Sequence, residues 1–129
     1  MATVSGFEEL EVWQLARKQA NEIYLLYSKA EFSRDFELKN QVNAASGSVM
    51  DNIAEGFERS GNKELSNFLL IAKASNGEVR SQLYRASDRS YISTEVFEDM
   101  LVKNKTLSSK ITSFIKYLKT SERKGFRYE

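Results

Sequence analysis

The sequence predicts an all-α protein, an antiparallel up-down-up-down four-helix bundle. Three observations predict it. Apolar residues recur at three- and four-residue steps over four long segments, so each segment presents one apolar face as a helix. Proline is absent from the 129 residues and glycine occurs only six times, which leaves few forced breaks. The three polar breaks between the segments carry residues suited to helix capping. The alternation expected of strands is absent, and no internal repeat is evident.

The first helix reads from about residue 8 to 30, with Leu10, Trp13, Ala16, Ala20, Ile23, Tyr24 and Tyr27 on one face. Ser33 is the expected N-cap of the second helix, which runs from about residue 34 to 59. Its core stripe is Leu38, Val42, Ala45, Val49, Ile53 and Gly56. Within the small-residue run 44–48, Gly47 costs up to about 1 kcal/mol relative to alanine. Close approach of another helix would offset that cost. Ser60-Gly61-Asn62 ends the pattern, and Asn62 is the expected cap of the third helix, to about residue 89. Leu65, Phe68, Ala72, Val79, Leu83 and Ala86 face inward there. Ser93 is the expected cap of the fourth helix, which runs from about residue 94 to 120 on Phe97, Met100, Leu107, Ile111, Phe114 and Leu118. Residues 1–120 thus read as a single domain, and residues 121–129, which lack periodicity, as a flexible basic tail.

Composition excludes much chemistry. The chain has no cysteine and no histidine. Disulfides, thiolate catalysis, the Ser-His-Asp triad and most transition-metal sites go with them. No phosphate loop, dinucleotide fingerprint or H-E-x-x-H motif is present. Glu55 and Glu58 are three apart, and a solvated acidic face explains them better than a magnesium site. The expectation is therefore no catalytic residue, no metal and no cofactor. Residues 1–6 lack the charged and apolar regions of a signal peptide, and the longest apolar runs, such as 68–72, are far too short to span a membrane. The expected location is the cytoplasm.

Function then has to reside on the outer faces. On the second helix Phe36, Met50 and Phe57 are spaced by multiples of seven, with Asn43 between them and Ala54 alongside. This row lies roughly 100° from the core stripe. Two readings fit it, a wide core stripe and a subunit interface. On the fourth helix Val102, Thr106, Ser109, Ser113 and Tyr117 form an uncharged row opposite the core, either a seat for a neighbouring helix or a plain solvent face. The interface residues on this basis are Phe36, Met50, Phe57, Val102 and Tyr117. Charge is segregated as well. Residues 1–99 hold 11 basic and 16 acidic side chains, whereas residues 100–129 hold 8 basic and 2 acidic. Lys105, Lys116, Lys119, Arg123, Lys124 and Arg127 are the candidate nucleic-acid contacts, interleaved with Tyr117, Phe126 and Tyr128. Cations meet phosphates and aromatic faces stack bases, which suits RNA or single-stranded DNA. The competing explanation is that basic residues complement the helix C-terminus and keep the chain soluble.

The stretch from Gln41 to Arg59, centred on Asn52-Ile53-Ala54-Glu55-Gly56, resembles the signature of the bacterial 23S rRNA-intervening-sequence proteins. Phe68-Leu69, Ile71-Ala72, Ser75, Glu78, Leu83 and Tyr91-Ile92 downstream, and Phe7, Leu10, Trp13, Ala16, Ile23 and Tyr24 upstream, extend the resemblance over roughly residues 7–118. It implies four-helix subunits assembled into ring-like homopentamers, without an established enzymatic activity. The related accessory variability determinants bind nucleic acid and a reverse transcriptase. One departure is Asn43, where the family commonly has a basic residue before the paired alanines. The signature residues Asn52, Glu55 and Gly56 invite structural roles. An amide beside the core stripe needs a partner, with Asn76 or Glu78 of the third helix in reach, and Gly56 lets a neighbour approach closely. The expected function is a non-enzymatic oligomeric bundle serving as a nucleic-acid or ribonucleoprotein accessory factor. The alternative is a protein-binding scaffold with no nucleic-acid role.

Overall fold

The computed structural model describes residues 3–121 and 127–128. Four helices form its body: α1 (Glu11–Tyr27), α2 (Phe36–Glu58), α3 (Asn62–Asp88) and α4 (Thr94–Ser121). Short 3₁₀ turns at Phe7–Glu9 and Ala30–Arg34 flank α1. They shorten the first helix from both ends, because Leu10 is extended and Ala30 takes a positive φ of 47°. A parallel pair of two residues each joins β1 (Thr3–Val4) to β2 (Arg127–Tyr128). A pair that short leaves no alternation in the sequence.

The helix ends show how local chemistry sets the boundaries. Asp35, not Ser33, caps α2: its carboxylate accepts the Leu38 N–H at 3.1 Å. Ser33 instead donates to the Ala30 carbonyl inside the preceding 3₁₀ turn. The Asp35 carboxylate also accepts from Tyr91 Oη at 2.8 Å and Arg89 Nη1 at 2.7 Å. The Leu38 N–H first, then Tyr91 and Arg89, hold its pKa below the usual carboxylate range. Gly61, not Asn62, caps α3, and its φ of 119° is one that a side-chain-bearing residue rarely adopts. At the other end of α3, Ser90 has φ 60°, and the N–H groups of Ser90 and Tyr91 return to the carbonyls of Ser87 and Ala86. This is a Schellman closure that satisfies two terminal carbonyls. Ser93 caps α4 as expected, accepting the Val96 N–H at 3.1 Å.

Neighbouring helices run in opposite senses. Along α2 and α3, Gln41 meets Arg85, Ser48 meets Ser75, and Gly56 meets Phe68. Along α3 and α4, Asn76 meets Ser108, and Tyr84 packs edge-on against Phe97. Along α1 and α4, Glu11 meets Lys110, and Glu22 meets Lys103. The whole predicted stripe of α2 is buried, as are most of the other predicted inward residues. On α1, Trp13 and Ala20 are half-buried and Tyr24 is more than half exposed. Val12, Leu69 and Ile115 join the core beyond expectation.

One layer of the core is polar. Gln19 of α1, Asn76 of α3 and Asn104 of α4 are all buried and mutually bonded. Gln19 Nε2 donates to Asn76 Oδ1 at 2.9 Å, and Asn104 Nδ2 donates to Gln19 Oε1 at 2.9 Å. Asn76 Nδ2 donates to the Asn104 carbonyl and to Ser108 Oγ, and Arg80 reaches Asn104 Oδ1 at 3.1 Å. A buried amide without partners costs about 1–3 kcal/mol, so this closed set locks three helices in one register.

Candidate nucleic-acid and subunit faces

The lysines of α4 fall on two flanks with different surroundings. On the flank toward α1, Lys103 bonds Glu22 and Asp99, each at 2.9 Å, and Lys110 pairs with Glu11 at 3.3 Å. The bonds to Asp99 and then Glu22 hold the Lys103 ammonium above the ordinary lysine range. On the flank toward α3, Lys105, Lys116 and Lys119 are exposed. Among the described residues, no carboxylate lies within ion-pair distance of these three. Arg123 and Lys124 lie outside the described residues, and of Arg127 only the backbone pairing with Thr3 is placed. Tyr117 is not interleaved with the lysine flank. It lines a cleft toward the start of α1 with Glu9, Leu10, Val12 and Phe114.

The proposed interface rows fare differently. Phe57 is only 3% exposed and belongs to the subunit's own core, so the wide-stripe reading applies at that end of α2. A charge at Phe57 would therefore act on subunit folding and not on an interface. Met50 is half-buried against the same core. Phe36, 67% exposed, stays outside, with Lys39 Nζ 5.7 Å from its ring centre. On α4, Val102 is 65% and Tyr117 40% exposed, and Thr106, Ser109 and Ser113 between them are exposed too.

The signature residues divide into a packing role and local bonds. A Cβ on Gly56 would lie 2.6 Å from Phe68 Cβ, so the absent side chain is what lets α3 approach. Asn52 does not bond α3. Its Nδ2 donates to the Ser48 carbonyl at 2.8 Å and Ser48 Oγ at 2.9 Å, one turn back on its own helix. Ser48 carries the link onward, with its hydroxyl 3.0 Å from that of Ser75 on α3. Asn76 is taken by the buried polar layer. Glu55 pairs with Arg59 at 2.9 Å on the surface. Asn43 accepts from Tyr27 Oη at 2.9 Å and so ties α2 to α1. Nothing approaches Gly47: a Cβ there would meet no atom within 4 Å. The subunit thus lacks the close neighbour expected at that glycine.

The sequence carries a signal for the polar layer. Asn104 occupies the inward position between Met100 and Leu107, and Gln19 the one between Ala16 and Ile23. A polar residue in an apolar slot, repeated on two helices, marks a shared layer. Among the described residues, no three His, Cys, Asp or Glu groups cluster closely enough to hold a metal ion. Among them too, no helix is long and apolar enough to cross a membrane.

Comparison with known proteins fits this architecture. A crystal structure of a protein of unknown function from the S23 ribosomal protein family of Bacteroides thetaiotaomicron VPI-5482 is similar, with a TM-score of 0.75 and 23% identity. The match covers 81% of this chain and 98% of that one, and at this identity it speaks for the fold. Among curated protein sequences none is significantly similar. The model of the 23S rRNA-intervening sequence proteins matches residues 8–113, which is most of the chain, and it is to this family that the protein belongs.

Proposed function

We propose that the protein is a non-enzymatic, oligomeric helical bundle that acts in the cytoplasm as a nucleic-acid or ribonucleoprotein accessory factor. The observation that carries this reading is the charge at the end of the chain. Residues 100–129 hold 8 basic and 2 acidic side chains, and Lys105, Lys116 and Lys119 stand exposed without acidic partners among the described residues. Unpaired cations on one face attract phosphates and release condensed counterions on binding. The exposed side chains of Val102, Thr106 and Tyr117 on α4, with Phe36 on α2, support a head-to-tail contact between copies. A closed ring of five is the assembly the family suggests. It would repeat the basic face and raise avidity without new contacts.

The test is binding of a labelled RNA by the full chain over a salt series, with sedimentation in parallel. Binding that weakens linearly on a log–log salt plot, by an oligomer, supports the proposal. A concentration-independent monomer removes the ring. Absence of binding even at about 10 mM salt, where exposed charges are least screened, replaces the nucleic-acid reading by the protein-scaffold one. The scaffold reading has its own support in the exposed apolar side chains Leu25, Phe36, Leu70 and Val102.

A further inference from the structure

We propose that the groove between α3 and α4 is a track for the phosphodiester backbone of nucleic acid, gripped by Lys73, Lys105, Lys116 and Lys119 and read without base stacking. The inference rests on the nucleic-acid reading above and names its surface. Lys73 reaches across from α3 and lines the groove with Ser108, Ser109, Thr112 and Ser113 of α4. Along α4, Lys105, Ser109, Thr112, Lys116 and Lys119 follow one another at three- and four-residue steps, so they form one stripe on that flank. Cations alternating with hydroxyls suit phosphate oxygens, which accept from both. From Leu101 to Ser121 the helix carries no acidic residue. Lys73, like the three lysines of α4, has no carboxylate within ion-pair distance among the described residues. By contrast Lys103 and Lys110, two turns apart on the opposite flank, are neutralised by Glu22, Asp99 and Glu11. One helix thus keeps two of its five lysines committed and three available, and the available three fall by the helical period on the flank toward α3.

The aromatic side chains decide the mode of recognition. Stacking on bases needs an exposed ring beside the cations. Tyr117 lies on the other flank, in the cleft with Leu10, Val12 and Phe114. Tyr84, 47% exposed, has its ring against Phe97, two turns before Lys105, so among the described residues no exposed ring stands within the lysine stripe; the side chains of Phe126 and Tyr128 lie outside the described ones. The lysine stripe itself spans about 21 Å at about 1.5 Å per residue, which matches roughly six nucleotides of a stacked strand at about 3.4 Å each.

The experiment measures anisotropy of labelled 12-nucleotide probes, oligo(U), oligo(A) and an abasic phosphodiester of the same length, against the full chain and three variants. The groove variant combines Lys105→Gln with Lys116→Gln. The flank variant combines Lys103→Gln with Lys110→Gln, an equal change of net charge. The tail variant combines Arg123→Gln, Lys124→Gln and Arg127→Gln. Each lost phosphate contact lowers the log–log salt slope by about 0.7 for a single strand. The groove variant is expected to lose about tenfold in affinity at low salt and about 1.4 in slope, while the flank variant stays within about twofold. All three probes should bind the unmodified chain within about threefold of each other, since only their backbones are shared. Equal losses in the groove and flank variants overturn the track in favour of bulk charge. Loss confined to the tail variant moves the site off the groove and leaves the nucleic-acid reading standing. Abasic binding weaker by more than about tenfold overturns recognition by backbone alone. No binding of any probe by the unmodified chain overturns the nucleic-acid reading itself. Circular dichroism of each variant checks that the fold is retained.

Discussion

Gly47 and Gly56 are nine residues apart on α2 and meet opposite surroundings. At Gly56 the neighbouring helix is so close that a methyl group would sit 2.6 Å from Phe68 Cβ and 3.2 Å from Leu65 Cδ1. At Gly47 a methyl group would meet nothing within 4 Å. Two phenylalanines of the same helix repeat the contrast, with Phe57 inside the core and Phe36 two-thirds exposed. In sequence the two phenylalanines share one row, and of the two glycines only Gly56 lies on the apolar stripe. What separates the members is which side of α2 the rest of the chain covers, and substitutions at all four positions probe that division.

The largest effect is expected at Phe57. Truncation of a buried phenylalanine removes its transfer free energy and leaves a cavity, so Phe57→Ala should lower subunit stability by about 3–5 kcal/mol. Phe36→Ala should change it by less than about 0.5 kcal/mol, as is usual for an exposed site. Urea unfolding of both variants, at matched protein concentration, measures the difference. Equal losses would mean that the outer face of α2 is as well packed as the inner one.

The second substitution is Gly56→Ala. Alanine gains helix propensity, worth up to about 1 kcal/mol. Overpacking of a tight contact typically costs about 1–3 kcal/mol, and here the clash is with a Cβ, which cannot swing aside. Net destabilisation is therefore expected, visible as a lower thermal midpoint. A stabilised Gly56→Ala protein would show that α2 and α3 separate easily.

These cases mark what the sequence conveyed. The four helices were legible because a period of 3.6 persists over each segment, and the inward stripe of α2 followed residue by residue. Gly56 was legible because it lies on that stripe. Phe57 is ambiguous in sequence, because a row roughly 100° from the stripe fits both a wide core stripe and an interface. Contacts with both α1 and α3 widen the buried sector of α2 beyond the narrow stripe of a two-helix contact. Partners across helices were the least legible. Asn52 was matched to α3, yet it closes a bond to Ser48 one turn back, a geometry every helix offers. Of the carboxylates that split the α4 lysines, only Asp99 is legible along the helix, four residues before Lys103; Glu22 for Lys103 and Glu11 for Lys110 lie 81 and 99 residues away in sequence, which spacing along α4 cannot reveal.

The smallest effect is the most informative about assembly. Gly47 interrupts the interior of a helix, where glycine is less favourable than alanine by about 1 kcal/mol. In an isolated subunit Gly47→Ala fills open space, so it should stabilise by up to that amount. Asn43, Ala44, Ser48, Asp51, Asn52 and Glu55 surround the same depression on the surface. If a second copy seats a helix there, the added methyl group meets it, and the gain in helix propensity is offset by lost association. The two effects separate by concentration. Dilute protein should show a raised thermal midpoint for Gly47→Ala, and concentrated protein a smaller gain or a loss. A gain that is the same at every concentration would place the contact between copies elsewhere, leaving the α4 row from Val102 to Tyr117 as the face to test next. A loss at every concentration would mean that Gly47 is covered within the subunit after all.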